Sequence, residues 1–205
     1  MALQFDSYPD IAYGAGSDLD LSIDERRQLW KWEAAVGYRI FAAMRWGQLG
    51  DGHITCRDPE HRDHFWMLSY GVPFHQATVH DLILIGPDGS VVDGPACATA
   101  NIAGYNIHHP LLEVRQDINA AAHTHTAFGT PWSANVEPFR AISQESCSFV
   151  FNQAMYEGED LEVDSTEGGY RIAEAMGANT LVILRNHGLL TGGLSPAEAV
   201  GWFVL

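Results

Sequence analysis

The amino-acid sequence predicts a single α/β domain, and three observations carry that prediction. The 205 residues are 46% hydrophobic and 18% charged, enough for one sizeable core and too few to demand two. Segments with apolar residues at helical spacing alternate with short apolar runs, and Gly, Pro and Asp punctuate the joins. No repeat or low-complexity tract interrupts this alternation.

Taken in order, residues 1–20 read as an N-terminal extension and residues 21–205 as the domain. Ser22 and Glu25 have the spacing of a capping box, and Leu29, Trp32, Val36, Ile40 and Ala43 then recur at helical spacing before Gly47, which predicts an amphipathic helix. HFWMLSYG, DLILIGPDGSVVDG and INAAAHTHT are short apolar runs bounded by turn residues and read as strands of one sheet, with Pro87-Asp88-Gly89 turning a hairpin. GYNIHHPLLEVRQ is expected to be a helix that starts or is interrupted near Pro110, since proline is best tolerated in a first turn. EGGYRIAEAMGAN reads as a helix stopped by Gly177, and TLVILRNHG as a buried strand. LSPAEAVGWFVL reads as a helix with Ser195 as N-cap and Pro196 in first position. That last helix is still apolar at Leu205, with no capping glycine or polar tail, so the natural protein is expected to continue beyond it.

Charge and cysteine content narrow the function classes. Acidic residues outnumber basic ones 26 to 11, for a net charge of −15, which is the opposite of a nucleic-acid binder's basic footprint. Cys56, Cys97 and Cys147 are odd in number and form no C-x-x-C pair, so neither a disulfide framework nor a cysteine zinc site is indicated and a reducing cytoplasm is expected. The N-terminus lacks a basic segment followed by an apolar one, and no run is long enough to span a bilayer.

The chemistry-bearing signal is AAAHTHTAFG. In an extended strand His123 and His125 project from one face with Thr124 on the other. Two neutral imidazoles aimed at one point suit a divalent metal; alternatively they are hydrogen-bonded polar residues at a strand end. His187 ends an apolar strand just before Gly188, at a loop position where site residues are commonly mounted. Three histidines from two strand ends would supply three ligands and leave coordination positions open, as in a catalytic metal site. Zn2+ and Fe2+ both accept imidazole.

NIAGYNIHHPLLEVRQDINAAAHTHTAFG, with LVILRNHGLL further along, resembles the class II aldolase and adducin head-domain family, whose hallmark is an H-x-H pair plus a distant N-H-G histidine. The resemblance implies a three-layer α/β/α domain around a central, largely antiparallel sheet. It also implies a homotetramer with metal sites near subunit interfaces, and His123, His125 and His187 as ligands to one divalent ion. The departures from the family pattern are equally specific. Sugar-phosphate aldolases of the family carry P-S-S-E, with its glutamate four residues before a helix histidine; here Gly104 stands four residues before His108. Ile102 and Ala103 fall where serines would hold a phosphate, and His53 falls at the asparagine of the G-N-x-S loop, so a plain sugar-phosphate aldolase is disfavoured.

Further candidates follow. His108, preferred over its neighbour His109, is placed to move protons in place of the missing glutamate. His53, on a loop after a Gly-rich turn, together with Tyr105, Phe128 and Trp132, is expected to line the substrate pocket, with Tyr70 and Phe74 adding to its aromatic walls. Gln144 and Glu145 lie in a polar turn where family members place residues at a neighbouring subunit's cleft, Glu145 as a proton carrier. His61, His64, His75 and His80 have no partner pattern and read as structural or surface residues. Three functions stay open: a metal-dependent lyase that stabilises an enolate of a non-phosphorylated hydroxy or oxo acid, a three-histidine ferrous oxygenase and decarboxylase of aromatic 2-oxo acids, and a non-catalytic adducin-like assembly module.

Overall fold

A computed structural model of the chain describes residues 21–47, 50–158 and 163–205, so the proposed N-terminal extension lies outside the described residues. The elements in chain order are α1 (Ile23–Ala43), β1 (Gly52–Arg57), β2 (Phe65–Leu68), β3 (Leu82–Ile85), β4 (Val91–Asp93), α2 (Ile102–Val114), β5 (Ala120–Thr124), α3 (Gly129–Ser133), α4 (Gln144–Cys147), β6 (Gln153–Tyr156), α5 (Thr166–Met176), β7 (Leu181–Leu184), β8 (Gly188–Gly193) and α6 (Pro196–Val204). The strands form one eight-stranded sheet in the order β4-β3-β2-β1-β5-β8-β7-β6. Every neighbouring pair is antiparallel except β6 with β7.

Strand alternation builds the three layers. Cys56, Trp66, Leu68, Ala120 and Ala122 face one side of the sheet, where they pack with Leu29, Tyr38 and Phe41 of α1 and Val200 and Phe203 of α6. Phe65, Met67, Ala121, Val182 and Leu190 face the other, against Ile107 and Leu111 of α2 and Ile172 and Met176 of α5. Both faces are covered, which explains why β5 is a run of alanines before its histidines: a central strand under helices on two sides tolerates no polar residue until its end. The caps read from sequence are present, with Ser22 and Glu25 in a capping box on α1, Ser195 accepting from the Glu198 N–H, and Gly177 ending α5 at φ 54°.

Two expectations are corrected. GHITCR is not a loop but β1, a central strand with all six residues buried. Its polar residues disguise it: the Arg57 guanidinium is satisfied by the carbonyls of Leu112, Arg115 and Ile118, and Thr55 by His108. The helix around Pro110 neither starts nor breaks there; it runs from the Asn101 cap through to Val114 with Pro110 inside. Proline removes the bond to the carbonyl four residues earlier, that of Asn106, and Gly169 of α5 is pressed against this same oxygen. A Cβ on Gly169 would lie 2.0 Å from it and 2.8 Å from Pro110 Cγ. The vacated carbonyl therefore faces the Cα of a neighbouring helix, a position suited to a weak Cα–H···O contact. Gly169→Ala is expected to force α2 and α5 apart at a cost of about 3 kcal/mol, the upper end for overpacking, lowering the melting temperature by roughly 6–12 °C. A melting temperature within about 2 °C of wild type would contradict this packing.

Candidate metal centre

β5 reaches the surface at its C-terminal end, and the cluster forms there. His123 pairs with His53 of β1 on one side and Leu190 of β8 on the other. β7 and β8 are joined by a tight turn in which Leu184 pairs with Gly188, Asn186 sits at φ 58°, and His187 is carried beside the end of β5. Ligand nitrogens of His123, His125 and His187 all lie within 4.8 Å of one another. Their ring centroids are 5.3, 4.9 and 5.1 Å apart in the pairs 123–125, 123–187 and 125–187. Strand alternation and one tight turn thus bring together the three residues picked from sequence.

The hydrogen bonding suits a cation. His123 Nδ1 stands 2.7 Å from the Leu189 carbonyl; a carbonyl only accepts, so Nδ1 carries the proton and Nε2 keeps its lone pair. His187 Nδ1 is buried with no hydrogen-bond partner among the described residues, a condition that native interiors rarely leave unexplained. Burial drives the His123 pKa well below the ordinary histidine value and that of His187 down to about 4, each reinforced by neighbouring imidazoles. Neutral imidazoles with free lone pairs at pH 7 are what a divalent ion requires. Three histidine nitrogens, with no carboxylate among the described residues in the cluster, would leave room for other ligands.

Behind the cluster stands a second pair of imidazoles. The His53 ring packs against His123 at a centroid distance of 4.9 Å. His53 Nδ1 is 2.8 Å from His108 Nε2, and His108 Nδ1 is 2.7 Å from Thr55 Oγ1. His108 is fully enclosed, and burial pushes its pKa down to about 3. His108 therefore reaches the cluster through His53 and not directly. Thr55 is a site residue that sequence reasoning misses, although its alternation with His53 along β1 is the signal available.

Other candidates fall elsewhere. Tyr105 does not join the cluster: its hydroxyl donates to the Pro87 carbonyl at 2.9 Å and its ring stacks on His109. Phe74 packs edge-on against Tyr38 inside the core, whereas Tyr70 is exposed beside Gly50. Phe128 and Trp132 line an apolar groove of about 380 Å3 whose walls also include Thr126, Leu189, Thr191 and Phe203. Glu145 lies in the first turn of α4, not in an irregular turn, and borders that groove. Ile102, Ala103 and Gly104 form the first turn of α2, where Asn101 caps the Gly104 N–H. His61, His75 and His80 are exposed, and His64 pairs with Asp63.

Residues 33–205 match the family described as Class II Aldolase and Adducin N-terminal domain, and the chain belongs to that family. It is 34% identical over 183 residues to the 4-hydroxy-3-prenylphenylpyruvate oxygenase/4-hydroxy-3-prenylbenzoate synthase of Streptomyces roseochromogenus subsp. oscitans, a match covering 88% of this chain and 65% of that protein. The same identity relates it to the decarboxylase NovR of Streptomyces niveus, over 88% of this chain and 67% of that one. The chain thus spans about two thirds of the length of these curated relatives. Among solved structures, the L-fuculose 1-phosphate aldolase of Glaciozyma antarctica PI12 superposes with a TM-score of 0.81 at 33% identity, covering 89% of this chain and 71% of that one. No helix among the described residues is long and apolar enough to cross a membrane.

Proposed function

We propose that this chain carries the active site of a metal-dependent enzyme that cleaves a carbon–carbon bond in a non-phosphorylated 2-oxo or hydroxy acid. The observation that carries the reading is the three-histidine cluster at the end of β5, backed among the described residues by the imidazoles of His53 and His108. His123, His125 and His187 hold a single Zn2+ or Fe2+, which when bound supplies Lewis-acid stabilisation of negative charge developing on a substrate oxygen. The Leu189 carbonyl orients His123, and His53 faces the substrate with His108 and Thr55 behind it. The groove along Phe128 and Trp132 takes an apolar or aromatic substituent. Glu145 contributes at that groove, and the subunits associate as a homotetramer in the reducing cytoplasm.

The first turn of α2 argues against a phosphorylated substrate, because Ile102, Ala103 and Gly104 offer no side-chain hydroxyl or carboxylate there. The similarity to a protein named L-fuculose 1-phosphate aldolase makes that sugar phosphate the decisive comparison. Protein purified without oxygen should contain close to one divalent ion per chain by elemental analysis. It should cleave L-fuculose 1-phosphate at least about a hundredfold less efficiently than a hydroxy or oxo acid substrate, the scale of losing acid–base assistance. Efficient cleavage of the sugar phosphate would overturn the reading of α2.

A second reading, a ferrous oxygenase and decarboxylase of an aromatic 2-oxo acid, is favoured by the names of the two Streptomyces relatives. Oxygen consumption with aromatic 2-oxo acids, dependent on Fe2+ and unsupported by Zn2+, would select it over the lyase. Metal-free protein with no turnover in either format would instead leave an adducin-like assembly module.

A further inference from the structure

His53, His108 and Thr55 form a hydrogen-bond chain whose direction is determined by its buried end. Thr55 is fully buried in β1, and its hydroxyl has His108 Nδ1 as its hydrogen-bond partner. If His108 Nδ1 carried the proton, the hydroxyl would accept it and its own hydrogen would point into the core with no acceptor among the described residues. An enclosed donor left unmade costs about 1–3 kcal/mol, whereas an unused hydroxyl lone pair is tolerated more readily, as for under-satisfied carbonyls. The hydroxyl therefore donates to His108 Nδ1. A neutral His108 then has its proton on Nε2, donates it to His53 Nδ1 2.8 Å away, and leaves a neutral His53 with its proton on Nε2.

The surroundings hold His53 in one orientation. Its ring lies across the sheet from His123 in register, packed on that ring at 4.9 Å. On its other side is the first turn of α2, where a Cβ on Gly104 would come within 3.0 Å of His53 Cγ and Cδ2. The ring occupies the space that a side chain at position 104 would need. It lines a narrow cavity with Gly50, Gly52, Tyr70 and Asn101.

We propose that Thr55 and His108 are positioning residues that hold His53 as the Nδ1-acceptor, Nε2-donor tautomer, so that His53 presents an N–H to a carboxylate or carbonyl oxygen of the substrate beside the three-histidine cluster. His53 is then a fixed hydrogen-bond donor, preorganised where charge gathers on the substrate, and its identity as donor is set two residues away inside the core. The substrate-facing part rests on the metal-site reading above; the hydrogen-bond chain does not.

The test uses metal-free, imidazole-15N-labelled full chain and long-range 1H–15N correlation spectra at neutral pH, with signals assigned through His53→Asn and His108→Asn. Wild type and Thr55→Ser should show both His53 and His108 protonated at Nε2 and bare at Nδ1. Thr55→Val, nearly isosteric but without the hydroxyl, should shift the His53 nitrogens toward a tautomer mixture. His53 protonated at Nδ1 in wild type, or His53 signals unmoved in Thr55→Val, overturns the chain. In the second arm, zinc-loaded proteins are titrated with oxalate, a chelating stand-in for a 2-oxo acid. Thr55→Val should bind it about tenfold more weakly, and Thr55→Ser within about twofold of wild type, the scale of biasing one hydrogen bond to a charged group. Equal affinity in all three overturns the role toward substrate. A wild type that takes up no zinc fails the metal-site reading, and the metal-free spectra still decide the chain.

Discussion

His123→Ala, His125→Ala and His187→Ala should each lose stoichiometric metal while remaining folded. Removing a group that merely orients a ligand costs ten- to a hundredfold in metal affinity, so deleting one of three ligands should weaken binding more than about a hundredfold. Folding should survive because the cluster lies at the rim of the sheet: His125 is exposed and His187 half-buried. His123 is enclosed, so its truncation leaves a small void and a moderate loss of stability, and the Leu189 carbonyl loses its donor. Elemental analysis gives occupancy, and thermal melts with and without added metal give the linkage, since an ion bound only by the folded state raises the melting temperature. That rise should be large in wild type and absent in all three variants. Full occupancy in any two of them would sink the cluster as a metal site.

His108→Asn should keep metal and oligomer but reduce turnover by roughly a hundredfold or more, in line with loss of one preorganised donor or of acid–base assistance. The side chain's hydrogen bonds go to His53 and Thr55 and not to a ligand of the cluster, so occupancy should be unchanged. Asparagine reaches only about as far as the imidazole Nδ1, so it can still meet Thr55 but not the place of Nε2, which leaves His53 Nδ1 without its donor. The fully enclosed position means some thermal destabilisation accompanies the loss, and activity must be compared well below the variant's melting temperature. The assay is run anaerobically for carbon–carbon cleavage and aerobically for oxygen consumption. Unchanged turnover in the active format would remove His108, and with it the route through His53, from the chemistry.

Much of the fold and of the three-histidine cluster is legible in the amino-acid sequence. Caps, helical spacing and apolar runs locate α1, α5, α6, β2, β3, β5 and β7, because those signals are local: a capping box or a run of alternating residues stands or falls on neighbours in the chain. The H-x-H spacing alone puts two imidazoles on one face, since period-two geometry needs no tertiary partner. The sequence also supplies the third histidine of the cluster, through an ordered pairing with the N-H-G turn.

What local pattern does not encode is how buried polar groups are satisfied. β1 is hidden in the sequence because Arg57, Thr55 and His53 look like loop residues until the Leu112, Arg115 and Ile118 carbonyls and the His108 ring are folded onto them. Pro110 reads as a helix boundary because nothing near it in the chain shows that Gly169 of α5 meets the carbonyl it vacates. Tyr105 reads as a pocket residue from its place before His108, yet helical rotation turns it to the far side, onto Pro87 and His109. The sequence by itself determined which three histidines cluster and the strands at whose ends they lie. Only tertiary packing decided that His108 sits behind His53, because a buried hydrogen bond between residues 55 apart in the chain is settled by which surfaces the sheet and α2 bring together.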